Sequence, residues 1–576
     1  MPNPIRDDLL VVDDTSFPYL FEQNVTIPIK SFNAIVRCNI YRPKTTKEVP
    51  VIMTYGPYGK DIHYKDFHEK SYSEVNSKHH SEHSSFETPD PRFWTANGYA
   101  VLRADEVGLG QSPGMLDTMS QRTSDAFADV IEWASEQPWS NGKVGLMGIS
   151  YFAGSQWRVA ARQPKGLAAI IPTDGMADYY RDRCRHGGIL TGFLKWWYDR
   201  QVLSNQYGLA GKASRNWGPD TIEGDLPEAE LAANRRDQTI DNAQHFYRDD
   251  PYYSSREYNL EDIVVPLLSL GNWGSIMIHL HGNYEGFRLA SSEKKFLRML
   301  TGRHDLPFYD DEHVEVMKSF LDAFLKGEDR GGWTDGSRPP VDLILRKGNV
   351  GYNNSEAEKA YKRRFEHEWP LARTKYTKFY LTADRQLVKS PPELHYGRVS
   401  YQALGNVNEP RFVSFHSEPL ESETELTGYV VAHLNVSVSA YPGGTVPADL
   451  DLFLTLRHFG PDGNEIYYTG ITGEPVPLSK GWQRLSLRKI NKAHPRHREW
   501  LPHRDYFSTD VLPVIPGEIY PVDVEVWATN VIAEKGDSFV LEVASGDTQG
   551  SGLFGHDTPE RYVVYASALE KIPIPN

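Results

Sequence analysis

Residues 143–160 read KVGLMGISYFAGSQWRVA. The apolar run KVGLMGIS (143–150) predicts a buried strand, and FAGSQWRVAARQ, from 152 onward, predicts a helix. Ser150 stands at the turn between them. A strand–turn–helix of this kind lifts a serine oxygen clear of the backbone, provided small residues crowd the turn. Gly148 lies two residues before the serine, and Ala153 and Gly154 follow it. Phe152 departs from the G-x-S-x-G spelling, because it stands where the second glycine would be. Ser150 is therefore a candidate nucleophile, set against the plainer reading of a serine opening an ordinary helix.

The same rhythm extends outward. VPVIMTYGPYG (49–59) and GYAVLRADEVGLGQSPG (98–114) each read as a buried strand running into a Gly/Pro loop. SDAFADVIEWASEQ (124–137) has apolar residues at helical spacing with Ser124 as its expected N-cap, and LAAIIPTD (167–174) is another strand. Strand–helix alternation implies a parallel sheet covered on both faces, with functional residues at the carboxyl ends of its strands. From 176 to 255 the rhythm breaks into an aromatic, charged segment that reads as a helical cap. It resumes at IVVPLLSLGNW (263–273), KFLRMLTGRHD (295–305) and the amphipathic HVEVMKSFLDAFLKG. Beyond the polar linker 327–340, short alternating strands such as TGYVVAHLNVSVSA and YPVDVEVWA predict a β-sandwich of jelly-roll size. The expected boundaries are 1–175 and 256–330 for the core, 176–255 for the cap and 341–576 for the sandwich.

Length and charge narrow the partners. A chain of 576 residues exceeds one core, and its net charge of −15 disfavours nucleic acid and anionic membranes. Two cysteines cannot build a disulfide framework, and no apolar run approaches membrane-spanning length, so a cytoplasmic protein is expected. The acidic N-terminus lacks the apolar core of a signal peptide.

Four segments resemble one family, the CocE/NonD hydrolases of the cocaine-esterase and X-prolyl dipeptidyl-peptidase (S15) group. GISYFAGSQW is similar to its GxSYxG…QW segment. RADEVGLGQSPG matches its R-x-D-x-RG-x-G-x-S-x-G, with Val107 in place of an arginine. IIPTDGMADYYRD…HGGI and PGEIYPVDVEVW match two further blocks. The resemblance implies an α/β hydrolase fold with an inserted helical cap and a C-terminal all-β jelly-roll sandwich. It implies cleavage of an ester or amide of a small molecule through a Ser150 acyl-enzyme, with no cofactor and no metal. Tyr58 of YGPYGK and the N–H of Tyr151 would form the oxyanion hole. His304 would be the base, since it follows a late strand and a glycine as the family's histidine does.

The family's acid is missing. Its G-x-W-x-D block corresponds to GNWGSIMIHLHGNYEGF, where Gly274 or Ser275 stands in the aspartate's place, although Trp273, His279, Gly282 and Phe287 fit. Three readings stay open: Asp174, at the end of an earlier strand, serves as the acid; Ser275 orients a Ser–His dyad; or hydrolysis has been lost. In the last case the chain binds a small molecule, transfers an acyl group or catalyses a rearrangement. An X-Pro aminopeptidase is a further alternative. Trp196, Trp197, Trp273 and Phe152 are candidates for a substrate pocket.

Other features carry less. The five histidines of 63–87 lack fixed ligand spacing and read as a solvated loop flanking the site. GLGQSPG lacks dinucleotide-site spacing. GSGLFGHD (550–557) reads as structural, and the jelly roll leaves homo-oligomer contacts open.

Overall fold

A computed structural model of the chain describes residues 4–393, 397–403, 409–440, 443–444, 446–548 and 555–556. Of the 550–557 segment only Gly555 and His556 fall within them.

The first strands are β1 (Val11–Asp13), β2 (Tyr19–Ile29), β3 (Ala34–Pro43), β4 (Val49–Gly56), β5 (Ala100–Asp105) and β6 (Ser140–Ile149). They continue as β7 (Leu167–Thr173), β8 (Leu267–Asn272), β9 (Lys295–Leu300), β10 (Val341–Leu345) and β11 (Lys362–Glu366). All eleven form one sheet in the order β1-β2-β3-β5-β4-β6-β7-β8-β9-β10-β11. From β5 to β10 every neighbour is parallel, and antiparallel pairs occupy both edges. Strands β4, β5 and β8 are buried at every residue, as expected where layers on both faces leave no polar side. The covering helices include α1 (Gln121–Ser135), α2 (Tyr151–Ala160), α3 (Leu280–Leu289) and α4 (Asp311–Leu321).

Three expectations on organisation change. Helix α1 begins one turn before Ser124; its N-cap is Ser120, whose hydroxyl accepts from the N–H of Thr123 at 3.2 Å. The core does not stop at 330: β10 pairs in parallel with β9 and carries β11 at the edge, so the expected break at 341 falls inside a continuous sheet. The segment 176–203 is not one helix. It contains π-helical turns at Tyr179–Cys184 and Tyr198–Val202, a short helix at Phe193–Trp197 and a two-residue ladder through Arg185–His186 and Ile189–Leu190. Gly187, at the tip of that ladder, has φ +57, and a Cβ there would lie 2.2 Å from the carbonyl of Trp482. The hairpin is thus pressed backbone-to-backbone on the C-terminal domain, with the N–H of Arg484 donating to Gly187 O at 2.9 Å.

That domain is a β-sandwich in which, among the described residues, the strands between Tyr380 and Ala544 form an eight-stranded sheet and a separate two-stranded pair. It does not sit apart. One apolar cluster joins Trp273, Tyr284 and Phe287 of the hydrolase unit to Trp482, Trp527 and Phe415 of the sandwich. A shared core of this kind fixes the two units against each other. Among the described residues no helix is long and apolar enough to cross a membrane.

Candidate active site

The loops after β4, β6, β7, β8 and β9 meet at the carboxyl edge of the sheet. Ser150, between β6 and α2, adopts φ 57 and ψ −112, a strained conformation that a packed surround must hold. Its N–H points to the carbonyls of Thr173 and Asp174 at 3.1 and 3.2 Å. Phe152 is tolerated because glycine occurs elsewhere. A Cβ on Gly56 would meet the Phe152 ring at 2.7 Å, and one on Gly148 would meet the Phe152 Cβ at 2.6 Å. The ring fills space that two glycines leave open, so the elbow needs no second glycine at 152.

Two donors face the serine. The N–H of Tyr151 opens α2, where no preceding carbonyl within the helix can take it. Tyr58 is buried, edge-on to Phe152 at 5.5 Å, and its hydroxyl accepts from Trp197 Nε1 at 3.0 Å while interacting with Ser150. Burial above all, with the Glu87 charge next, pushes the phenol's pKa up, so the group remains an O–H donor.

Two imidazoles approach, in opposite states. His279 Nε2 lies 3.3 Å from Ser150 Oγ. Its ring is buried, Nδ1 has no partner, and burial followed by the charges of His304 and Arg183 drives its pKa well below the ordinary value. It is a neutral base. His304, whose ring centroid is 5.9 Å away, uses Nε2 on Glu87 Oε1 at 2.8 Å and Nδ1 on the carbonyl of Ile471 at 3.3 Å. The carbonyl accepts, and so does Glu87 when ionised, so with Glu87 ionised both ring nitrogens carry protons. Burial opposes that charge, but Glu87, Asp305 and Asp174 outweigh it and raise the pKa to about 9. Burial likewise lifts Glu87 to about 7 against the pull of His304. Between those values the pair is carboxylate and imidazolium. The imidazole within reach of the nucleophile is therefore His279, and the expected serine–His304 contact is absent from this geometry.

The carboxylate bonded to His304 is also not the expected one. Asp174 accepts from Ser275 Oγ at 2.6 Å and makes no hydrogen bond to His304; burial raises it to about 7, against the His304 charge and hydrogen bonds from Ser275 and Asn272. Ser275, in the place of the family aspartate, thus donates to a carboxylate from the neighbouring strand end. Glu87 was invisible in sequence because it belongs to a loop more than two hundred residues before His304. Its backbone signals the link: φ is +60, and its carbonyl accepts from the N–H of Ile149, next to the nucleophile.

The tryptophans separate. Trp197 is buried and stacked on Tyr151 at 5.7 Å. Trp196, one residue away on the same short helix, is 38% exposed under Arg200, so it does not line the site. Trp273 donates to the carbonyl of Ile344 and packs by Trp369 in the core shared with the sandwich, also away from the serine. The 63–87 loop is more packed than expected: His79 is buried, and His83 bonds Tyr19 at 2.7 Å. Among the described residues, side chains able to converge on a metal are His494, His503 and Asp505, in the sandwich and outside this site.

Comparison with known proteins agrees with this layout. Residues 34–305 match the family model for X-Pro dipeptidyl-peptidase (S15 family), and residues 332–564 match its C-terminal non-catalytic domain. The cocaine esterase of Rhodococcus sp. (strain MB1 Bresler) is 30% identical over 621 aligned residues, spanning 92% of this chain and 91% of that protein. The crystal structure of a CocE/NonD family hydrolase from Staphylococcus aureus superposes with a TM-score of 0.77 at 26% identity, covering 96% of this chain and 92% of the other. An alpha-amino acid ester hydrolase, at 15% identity and a TM-score of 0.64, shares the fold. With family models matching both the hydrolase unit and the C-terminal domain, and a relative 30% identical over nearly the whole chain, the chain belongs to the CocE/NonD family of serine hydrolases.

Proposed function

We propose that this hydrolase cleaves a carboxylic ester of a small molecule through an acyl-enzyme on Ser150. The observation that carries the reading is the strained elbow whose Oγ lies 3.3 Å from a neutral imidazole, His279 Nε2. In the first step Oγ bonds to the ester carbonyl carbon and its proton passes to His279. The oxyanion takes hydrogen bonds from the Tyr151 N–H and the Tyr58 hydroxyl. The C–O bond to the alcohol then breaks, and the alcohol leaves with the proton held by His279. Water attacks the acyl carbon, gives one proton to the imidazole and releases the acid as Oγ regains that proton. The His304–Glu87 ion pair supplies charges around this transfer, and Asp174 is held beside it by the Ser275 hydroxyl. Phe152 and Trp197 wall the site.

A second reading keeps His304 as the base and Asp174 among its acids. Its support is the position of His304 on the loop after β9, with Asp174 and Glu87 both acting on its charge. It requires the ring to leave Glu87.

A fluorophosphonate probe tests the nucleophile: it should add its mass to the wild type and not to Ser150→Ala. Labelling of neither protein would overturn the hydrolase assignment to this serine. A panel of aryl esters, aryl amides and X-Pro anilides then separates esterase from aminopeptidase. We also propose a reducing, cytoplasmic setting, supported by two cysteines that are both free and buried.

A further inference from the structure

Arg183 lies in the π-helical turn Tyr179–Cys184 of the cap, and it is 1% exposed. Its Nε and Nη2 are buried and make no hydrogen bond. Other fully buried arginines, Arg37, Arg256 and Arg346, also leave one nitrogen unpaired each, but all three are anchored by a carboxylate or carbonyl. Arg37 pairs with Glu223 and also donates to the carbonyl of Gln111. Arg256 pairs with Asp117, and Arg346 donates to Asn530 O and Thr529 Oγ1. A buried guanidinium with unused donors is expensive, and a protein interior normally supplies a carboxylate or carbonyls.

What Arg183 does have is aromatic faces. Its Cζ sits 4.2 Å from the ring centroid of Trp197, 5.8 Å from Phe193 and 5.9 Å from Tyr151 and Tyr179. Cation–π contact offsets part of the desolvation and leaves the in-plane N–H groups unused. The location is specific. Trp197, under the guanidinium, donates to the Tyr58 hydroxyl beside Ser150, and the Arg183 charge is felt by both Tyr58 and His279. The carboxyl of Glu106, which feels the Arg183 charge, takes the Tyr151 hydroxyl on Oε2 at 2.6 Å; its Oε1 is unpartnered but makes no ion pair with the guanidinium. The cation therefore stands one layer of rings from the nucleophile with donors to spare.

We infer that Arg183 recognises an anionic group on the substrate, so that the preferred ester carries a second, free carboxylate. Planar guanidinium and carboxylate match in a two-bond fork, and in a desolvated site that pairing discriminates strongly against a neutral isostere. The inference rests on Ser150 acting as the nucleophile of ester cleavage.

The test compares mono-p-nitrophenyl glutarate with the p-nitrophenyl ester of glutaramic acid, its neutral amide counterpart. A third substrate, p-acetoxybenzoate, places the carboxylate on the leaving side. The wild type should favour a carboxylate-bearing ester over the neutral one in kcat/KM by about 10- to 100-fold. Arg183→Met should collapse that ratio towards one, and Arg183→Lys should retain part of it. A wild-type ratio near one for both anionic esters would overturn the inference whatever the variants do, as would a preference that survives in Arg183→Met. Thermal-shift titration of Ser150→Ala with free glutarate reads binding without turnover. Stabilisation that disappears in the Ser150→Ala/Arg183→Met double variant supports the inference, and stabilisation that persists there counts against it. Failure of the fluorophosphonate to label Ser150 would instead remove the underlying reading.

Discussion

Two histidines lie side by side at the mouth of the sheet, and their surroundings have made them different groups. His279, beside the loop after β8, meets a serine at Nε2 and nothing at Nδ1. His304, on the loop after β9, meets a carboxylate and a carbonyl. The same side chain, buried in one place and largely enclosed in the other, is neutral in the first and doubly protonated in the second. Burial alone would discharge both. The difference is Glu87, brought to β9 from the loop that precedes β5. A histidine's place in a family pattern therefore does not settle its protonation state; its acceptors do.

The sharpest way to break this contrast is to remove each ring. His279→Ala should lower kcat/KM for an aryl ester by about 10²- to 10⁴-fold, the range of general-base catalysis, with a smaller fall in His304→Ala. Reversed magnitudes would make His304 the base. The pH profile gives an independent answer. A base must be unprotonated, so activity falls as pH drops through its pKa. With His279, whose pKa lies well below 6.5, kcat/KM should be level from about neutrality upward. With His304 it should keep climbing until about pH 9.

Glu87→Gln sharpens the comparison from the other side. Without its carboxylate the enclosed imidazole should discharge, and the variant should lose the charge-assisted hydrogen bond, about 1.5–3 kcal/mol of stability near pH 7, read by denaturant unfolding. The pKa of His304 is raised from 6.5 to about 9, so its stabilising contribution is complete below 6.5 and is lost as pH climbs to 9. Glu87, raised from 4.5 to about 7, acts in the same sense over a lower window, with stability lost as pH climbs between those values. The difference between wild type and Glu87→Gln should thus shrink as pH climbs from about 6.5 towards 9. An unchanged difference at pH 9 would mean that the imidazolium is not what Glu87 holds.

Smaller effects are expected at the vacated acid position. Ser275→Ala removes the donor from Asp174 and should destabilise by about 1–3 kcal/mol. Ser275→Asp should bring no gain in turnover, because a second carboxylate would face Asp174 rather than His304. A large gain there would restore the family's own arrangement as the working one. The smallest effect belongs to Trp196→Ala, within about 0.5 kcal/mol and without change in kcat, since that ring is at the surface. Any loss of activity there would return Trp196 to the site.

Much of the framework was legible in the chain. Strands β4 to β9 follow from short apolar runs ending in Gly/Pro loops, and the serine elbow follows from its crowd of small residues. Phe152 and Ser275 were legible as departures from pattern. Their resolution was not, because it lies with residues distant in sequence: Gly56 makes room for the Phe152 ring, and Asp174 receives the Ser275 hydroxyl. The cap was read as helix because its aromatic and charged residues suit one. Gly187, pressed on the backbone of Trp482, shows why tertiary contact broke that segment instead. Strands β10 and β11 join the hydrolase sheet although the family model for the C-terminal domain begins at 332, because a strand's sequence does not say which sheet it will join.

By itself the sequence determined local conformation and the order of the elements, since strand burial, helical periodicity and the elbow depend on residues a few positions apart. The tertiary structure alone decided the pairings: which histidine touches Ser150, which carboxylate charges His304, and which guanidinium, Arg183, is left without one. Hydrogen bonds and charge states depend on separations of a few ångströms between residues about thirty to more than two hundred positions apart, and no local pattern encodes those distances.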